Sequence, residues 1–386
     1  MKFYPEELEL AKRYVDSISF ERLTNEQIST ILNRGRELLR WFREHQRVHF
    51  AISACLIVGL LILDGLILAW APAFFVTERD DSEISMILLA SFLLGSAHSY
   101  LLYSMVLYSL HEGAAHNLIF PGRGPISSRF AFLANNLCRL GAADPVCYAQ
   151  SHLSHHTKFG TDQDEEFLSF VRPRRYWRTF IPFAMFINFS DFLVHRPLTH
   201  SKSLTWSLCV SLVYHIGYAT IMIDRFGFIF TLTNLVIVTP HVGFYVDRLR
   251  QFTEHNMLML DNQNGARSFG LGFWGIFLGG GPWGQPCHLI HHLMPSIPWY
   301  QQLILHRKLT SILTARQRRQ FALKPFVSFP QLLWRLWTEP TIFGRRSFAP
   351  VSRPGPEAGG IRDDGCERLE STTRADSGPL SRRKRS

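Results

Sequence analysis

Apolar residues in this chain gather into long runs divided by charged segments, and the lengths of the runs predict membrane helices. Residues 50–70 are apolar apart from Asp64 and match the ~20 residues that cross a bilayer. Residues 84–110 form a longer run. At 1.5 Å per residue it reaches ~40 Å, beyond a hydrocarbon core of ~30 Å. Its end is expected to project past the lipid as helix, carrying His111. Residues 204–223 and 226–246 predict a second hairpin with Asp224 and Arg225 at its turn. Residues 180–194 are apolar but short and contain Asp191, which predicts an interfacial or re-entrant segment.

Charge orients these runs. Residues 1–49 hold nine Lys and Arg, whereas the loop at 73–83 holds only Arg79. The positive-inside rule then places the N-terminus in the cytoplasm and the acidic loop outside. Four spans return the chain to the cytoplasm after Val246. The expected fold is an all-α integral membrane protein, with four transmembrane helices and a cytoplasmic helical cap. Three segments are expected. Residues 1–48 alternate apolar and charged positions at helical spacing (Ile28, Ile31, Leu32, Leu38, Leu39, Trp41, Phe42) and predict amphipathic helices lying on the membrane. Residues 49–343 form the membrane domain. Residues 344–386 are rich in Pro, Gly, Ser and Arg and predict a disordered basic tail.

Composition changes this picture little. The net charge of +10 lies mostly at the two ends of the 386 residues; anionic headgroups account for it better than nucleic acid. The six cysteines show no paired spacing, which argues against a disulfide framework or a thiolate metal site. The charged N-terminus is not a cleavable signal peptide. An excess of Arg over Lys suggests a GC-rich bacterial source, hence an inner membrane; a eukaryotic source would place the protein in the endoplasmic reticulum.

The chemistry lies in histidine. Of 17 in the chain, eight fall in three short boxes: His111 and His116 in HEGAAH, His152, His155 and His156 in HLSHH, and His288, His291 and His292 in HLIHH. Imidazole suits iron, zinc, copper or nickel, and eight imidazoles exceed what one ion can use. Two metals are implied. HEGAAH is not a zincin motif, because its histidines are five apart. On a regular helix they would diverge by ~140°, reaching two neighbouring metals more easily than one. In HLSHH and HLIHH the first and second histidines, three apart, share a helical face and the third points to a second ion. The boxes fall on one membrane face, which disfavours a histidine-rich metal carrier, whose ligands would line a path across the bilayer. Asp64, His98, His215 and His241 lie within the spans, where core hydrogen bonding and function explain them about equally.

These motifs resemble the membrane-bound fatty acid desaturase and hydroxylase superfamily. HEGAAH fits its first box, HLSHH with HTKFGTDQDEEF its second, and HLIHHLMPSIPWYQQL its third; the likeness covers roughly residues 50–310. The resemblance implies two iron ions, with O₂ as co-substrate, held by the eight box histidines. It adds His255 of QFTEHNML as a ninth ligand. It also draws in Gln251, Asp162 and Asp164 as residues behind the ligands, with Gln251 standing where some relatives carry an Asn. Glu112, beside His111, is expected to orient a ligand histidine or to be a surface carboxylate. The implied activity is O₂-dependent desaturation of a fatty acyl or other lipid-like chain. Hydroxylation or ketolation of a lipid or carotenoid stays open, as does desaturation of a small metabolite such as dihydrorhizobitoxine. No Rossmann fingerprint, haem domain or Cys₄ cluster is visible in the sequence. Electrons are therefore expected from a separate ferredoxin, cytochrome or reductase. The glycine-rich stretch 270–284 suits close approach of a substrate or of backbone, or is a plain loop.

Overall fold

The structure is a computed structural model. It describes residues 20–70, 83–120, 145–161, 202–234 and most of 250–323, with Ile126, Arg129, Phe130 and Asp164. Everything described falls within Met1–Phe343, the first of two units into which the chain divides. Residues 180–194, His241, Gln251, Asp162 and the tail 344–386 lie outside the described residues, as does the His215 side chain.

The chain is mostly helical. Helix α1 (Asn25–Glu44) starts at Thr24, whose hydroxyl accepts from the Gln27 amide while the Gln27 side chain accepts from the Thr24 amide. This reciprocal cap satisfies two otherwise orphaned donors. Helix α2 (Gln46–Trp70) and helix α3 (Glu83–Leu107) follow, the latter passing into a π-helical segment, Tyr108–Ala115. Within them, Gln46–Ile67 and Leu88–Ala115 are long and apolar enough to cross a membrane. Four spans were expected; two are found among the described residues, which include only part of 226–246. Residues 204–223 do lie in one helix, α5 (Lys202–Phe226), after α4 (Pro145–Lys158). The turn expected at Asp224 and Arg225 comes later, at Gly227 (φ +83°), before the short α6 (Phe228–Leu232). Glycine takes that backbone conformation without steric cost.

Helix α1 turns its apolar face into the protein. Ile28, Ile31 and Phe42 are buried against protein. Ile28 and Ile31 share one cluster with Leu258, Leu289, Ile290, Ile297, Leu305 and Leu309. An amphipathic stripe seeks any apolar surface; here that surface is the third histidine box, on α8 (His288–Leu293), and the helix after it, α9 (Trp299–Ile312). Gly35 sits so close to the segment after the box that a Cβ there would lie 1.9 Å from the Met294 sulfur. The far end is closed by α10 (Ala315–Phe321) and a two-residue parallel pairing of β1 (Ser268–Phe269) with β2 (Ala322–Leu323).

The two membrane-length helices invert this pattern. Leu61, Ile62 and Leu66 on α2, and Phe92 and Leu93 on α3, are exposed. The polar residues turn inward: His98 Nδ1 donates to Asp64 Oδ1, and the Tyr218 hydroxyl donates to His98 Nε2 at 3.1 Å. Asp64 thus has a buried partner, and α2, α3 and α5 are joined through His98. The glycine-rich stretch holds α7 (Phe273–Leu278) and a turn at Gly280 (φ +81°), where a Cβ would meet Leu107 at 2.8 Å. The close approach allowed there is that of backbone to α3, fixed by the Tyr100 hydroxyl donating to the Phe277 carbonyl at 2.8 Å.

Candidate metal centre

All nine histidines expected as ligands come together, at the C-terminal end of α3. They form two neighbouring groups in which one nitrogen per ring lies within 4.8 Å of the others: His111, His116, His152 and His291, and His155, His255, His288 and His292. His156 stands beside the first group, its Nε2 2.7 Å from that of His291 and 3.1 Å from that of His152.

The distribution differs from the expected one in each box, for geometric reasons. The π-helical segment makes the i→i+5 bond from the His116 amide to the His111 carbonyl, 3.1 Å. Such a turn returns residues five apart to nearly one face, so His111 and His116 join one group rather than two. In the other boxes, the pairs that share a group are four apart: His152 with His156, and His288 with His292. Four residues leave ~40° of rotation and three leave ~60° on the other side. His155 and His291 therefore cross to the opposite groups.

The donor set fits divalent transition metals. Ions with metal–nitrogen bonds of ~2.1 Å hold neighbouring ligand nitrogens ~3.0–3.4 Å apart. Here the Nε2 separations are 3.1 Å for His111–His291, 3.4 Å for His152–His291, 2.8 Å for His255–His288 and 3.1 Å for His288–His292. Ligation needs neutral imidazole. Burial, and then the neighbouring imidazoles, hold His288, His291 and His292 well below the ordinary histidine value of 6.5.

The residues behind the rings differ in what they do. Asp164 accepts from His155 Nδ1 through both oxygens at 3.0 Å, which fixes the tautomer with Nε2 facing the group. Its own position is held by the Gly160 amide at 3.2 Å. Glu112 is buried, yet its Oε1 is 3.7 Å from His111 Nδ1, too long for the orienting hydrogen bond expected of it. His255 Nδ1 donates to the Gly265 carbonyl at 3.0 Å. Sequence reasoning passed over Gly265, Phe159, Arg250 and Tyr103. The Phe159 ring packs 5.1–5.3 Å from His155, His255 and His292. A Cβ at Gly265 would fall 2.0 Å from that ring, so glycine is needed to admit it. Arg250, four residues before Glu254, donates to its carboxylate at 2.7 Å and to the Tyr103 hydroxyl at 3.1 Å. The i,i+4 spacing was the readable signal.

The sequence profile of the fatty acid desaturase family matches residues 85–324, more than half of the chain and all nine histidines. The chain belongs to that family. Its members are oxidoreductases, so the desaturase-family chain is read as an enzyme. No curated protein matches it closely enough to count as a relative.

Proposed function

We propose that this desaturase-family protein is an O₂-dependent oxidoreductase of the membrane that holds two iron ions and introduces a double bond into a fatty acyl or other lipid-like chain. The observation that carries the reading is the pair of adjacent buried histidine groups on this family's frame. His111, His116, His152, His156 and His291 would hold one ion, and His155, His255, His288 and His292 the other. Bound there, two irons supply the redox chemistry that lets O₂ withdraw two hydrogens from an unactivated –CH₂–CH₂– unit. The balance is R–CH₂–CH₂–R′ + O₂ + 2 e⁻ + 2 H⁺ → R–CH=CH–R′ + 2 H₂O, with the electrons from a separate ferredoxin, cytochrome or reductase.

The protein's own residues prepare the site. Burial keeps the third-box imidazoles neutral and ready to bind. Asp164 and the Gly265 carbonyl lock two rings of the second group, and Phe159 excludes water from it. Two apolar spans, Gln46–Ile67 and Leu88–Ala115, support membrane association. Our reading places the histidines and both termini on the cytoplasmic side, where a soluble electron donor has access and a lipid-like substrate enters from the bilayer.

The test is purification in detergent, metal analysis, and incubation with a reductant, O₂ and lipid extract, followed by mass analysis of products. Two irons per chain and a product lighter by two hydrogens are expected. A product heavier by one oxygen would move the assignment to a hydroxylase. One zinc and no iron in active protein would end the di-iron reading.

A further inference from the structure

The nitrogen donors divide unevenly, five beside the first position with His156 and four at the second, and a carboxylate stands beside the second. Glu254 precedes His255 and is buried at 1 % exposure. Its Oε2 lies 3.8 Å from His288 Nε2, the nitrogen that faces His255 and His292. Glu254 is not one of the four residues whose donor atoms all lie within 4.8 Å of one another; it stands at the edge of that group. The carboxylate is held at this edge by the Arg250 guanidinium, 2.7 Å away. Arg250 is anchored in turn by Tyr103, against which the Gly280 turn is packed.

We infer that Glu254 is a fifth donor to the second metal position, held beside it by Arg250. This rests on the two-metal reading above. A carboxylate in a dry site interacts most strongly with the nearest large positive charge, and a divalent ion among the four imidazoles outweighs one guanidinium. Oxygen donors also suit iron alongside imidazole. The arrangement gives the two positions different donors, five nitrogens against four nitrogens and an oxygen. Arg250, Tyr103 and the glycine turn act as positioning groups, fixing how far the carboxylate stands from the ion.

A simpler role would have Glu254 only neutralise buried Arg250, and one double variant separates the two. Full-length protein in detergent is titrated with Co²⁺ alone, and affinity and visible spectrum are followed for each equivalent. Wild type should take up two ions. Glu254→Gln should weaken one of them by at least about tenfold, as loss of metal-supporting groups typically does, and change that ion's ligand-field spectrum while sparing the other's. Glu254→Gln combined with Arg250→Gln removes the charge that needed neutralising, and should fold while remaining equally weak at that ion. Recovery of wild-type affinity and spectrum in the double variant would overturn the inference, as would a Glu254→Gln protein that binds both ions like wild type. Wild type that binds no pair of ions would overturn the two-metal reading itself, and the inference with it.

Discussion

The two histidine groups use the same side chain and are held in different ways. The first takes His111 and His116 from the end of a membrane-length helix, and its positions depend on helix register; His116 and His156 are only partly buried. All four members of the second group are buried. Their backing is tertiary: Asp164 on His155, the Gly265 carbonyl on His255, Glu254 and Arg250 beside His288, and Phe159 across three rings. Both groups draw histidines from segments distant in sequence; the first depends in addition on the π-helical register at Tyr108–Ala115, and the second on the contacts just named. Disturbances of backing should therefore single out the second.

The largest effect expected is at a ligand from each group. His255→Ala and His291→Ala should each lower the metal content from about two ions per chain towards one, with activity falling to background in both. His255 lies outside the three boxes, which makes it the sharper test. Full iron and wild-type turnover in His255→Ala would remove it from the centre and leave the second group with three histidines.

How much of this was legible in the sequence follows the same division. The nine histidines could be read because metal-binding residues stand out by type and clustering, whatever the backbone does. Their partition could not, because it depends on the π-helical register at Tyr108–Ala115, and five-residue spacing on an ordinary α-helix points the other way. Asp64 and His98 were visible as polar residues within apolar runs, but their pairing needs the packing of α2 on α3. The amphipathic face of α1 was plain; whether lipid or protein covers it is not encoded in periodicity, since both satisfy it. Gly265 and Phe159 gave no signal at all. Their importance arises from a contact between residues about a hundred positions apart.

The next effects separate the groups by their backing. Gly265→Ala should lower stability by about 1–3 kcal/mol, because the added methyl overpacks a filled site. Besides the Phe159 ring it meets the Asp261 carbonyl at 2.6 Å, which is backbone and yields little. Thermal unfolding in detergent measures this, and metal should be lost from the second group first. Asp164→Asn should keep the fold and weaken metal binding by about 10–100-fold, seen in competition with a chelator. Equal loss from both groups in either variant would erase the distinction between them.

A smaller effect concerns pH. His288, His291 and His292 are held below 6.5 in the folded chain, by burial and by one another. In the unfolded chain they regain the ordinary value, so below about pH 6.5 the unfolded state binds more protons. The stability of metal-free protein should be level above that pH and fall as pH drops beneath it. Unfolding temperature recorded between pH 5 and 8 checks the sign. Stability that rises on acidification would mean that these rings are protonated in the fold, and so unready for metal in both groups alike.

The smallest effect is expected from removing the tail. Every histidine of both groups, and every residue backing them, precedes Leu323, where the described structure ends. Residues 344–386 carry many Pro, Gly, Ser and Arg and few apolar side chains, and none of the nine histidines. A chain ending at Arg346 should therefore retain both metal ions and nearly full turnover. A Lys or Arg near an anionic surface contributes on the order of 1 kcal/mol, so the tail's basic residues should favour anionic headgroups. Truncation should then weaken binding to vesicles containing phosphatidylserine more than it changes metal content. Metal analysis and vesicle flotation on the same preparation compare the two directly. Loss of an ion from the truncated chain would show that the tail supports one of the histidine groups, and which group lost it would show where it docks.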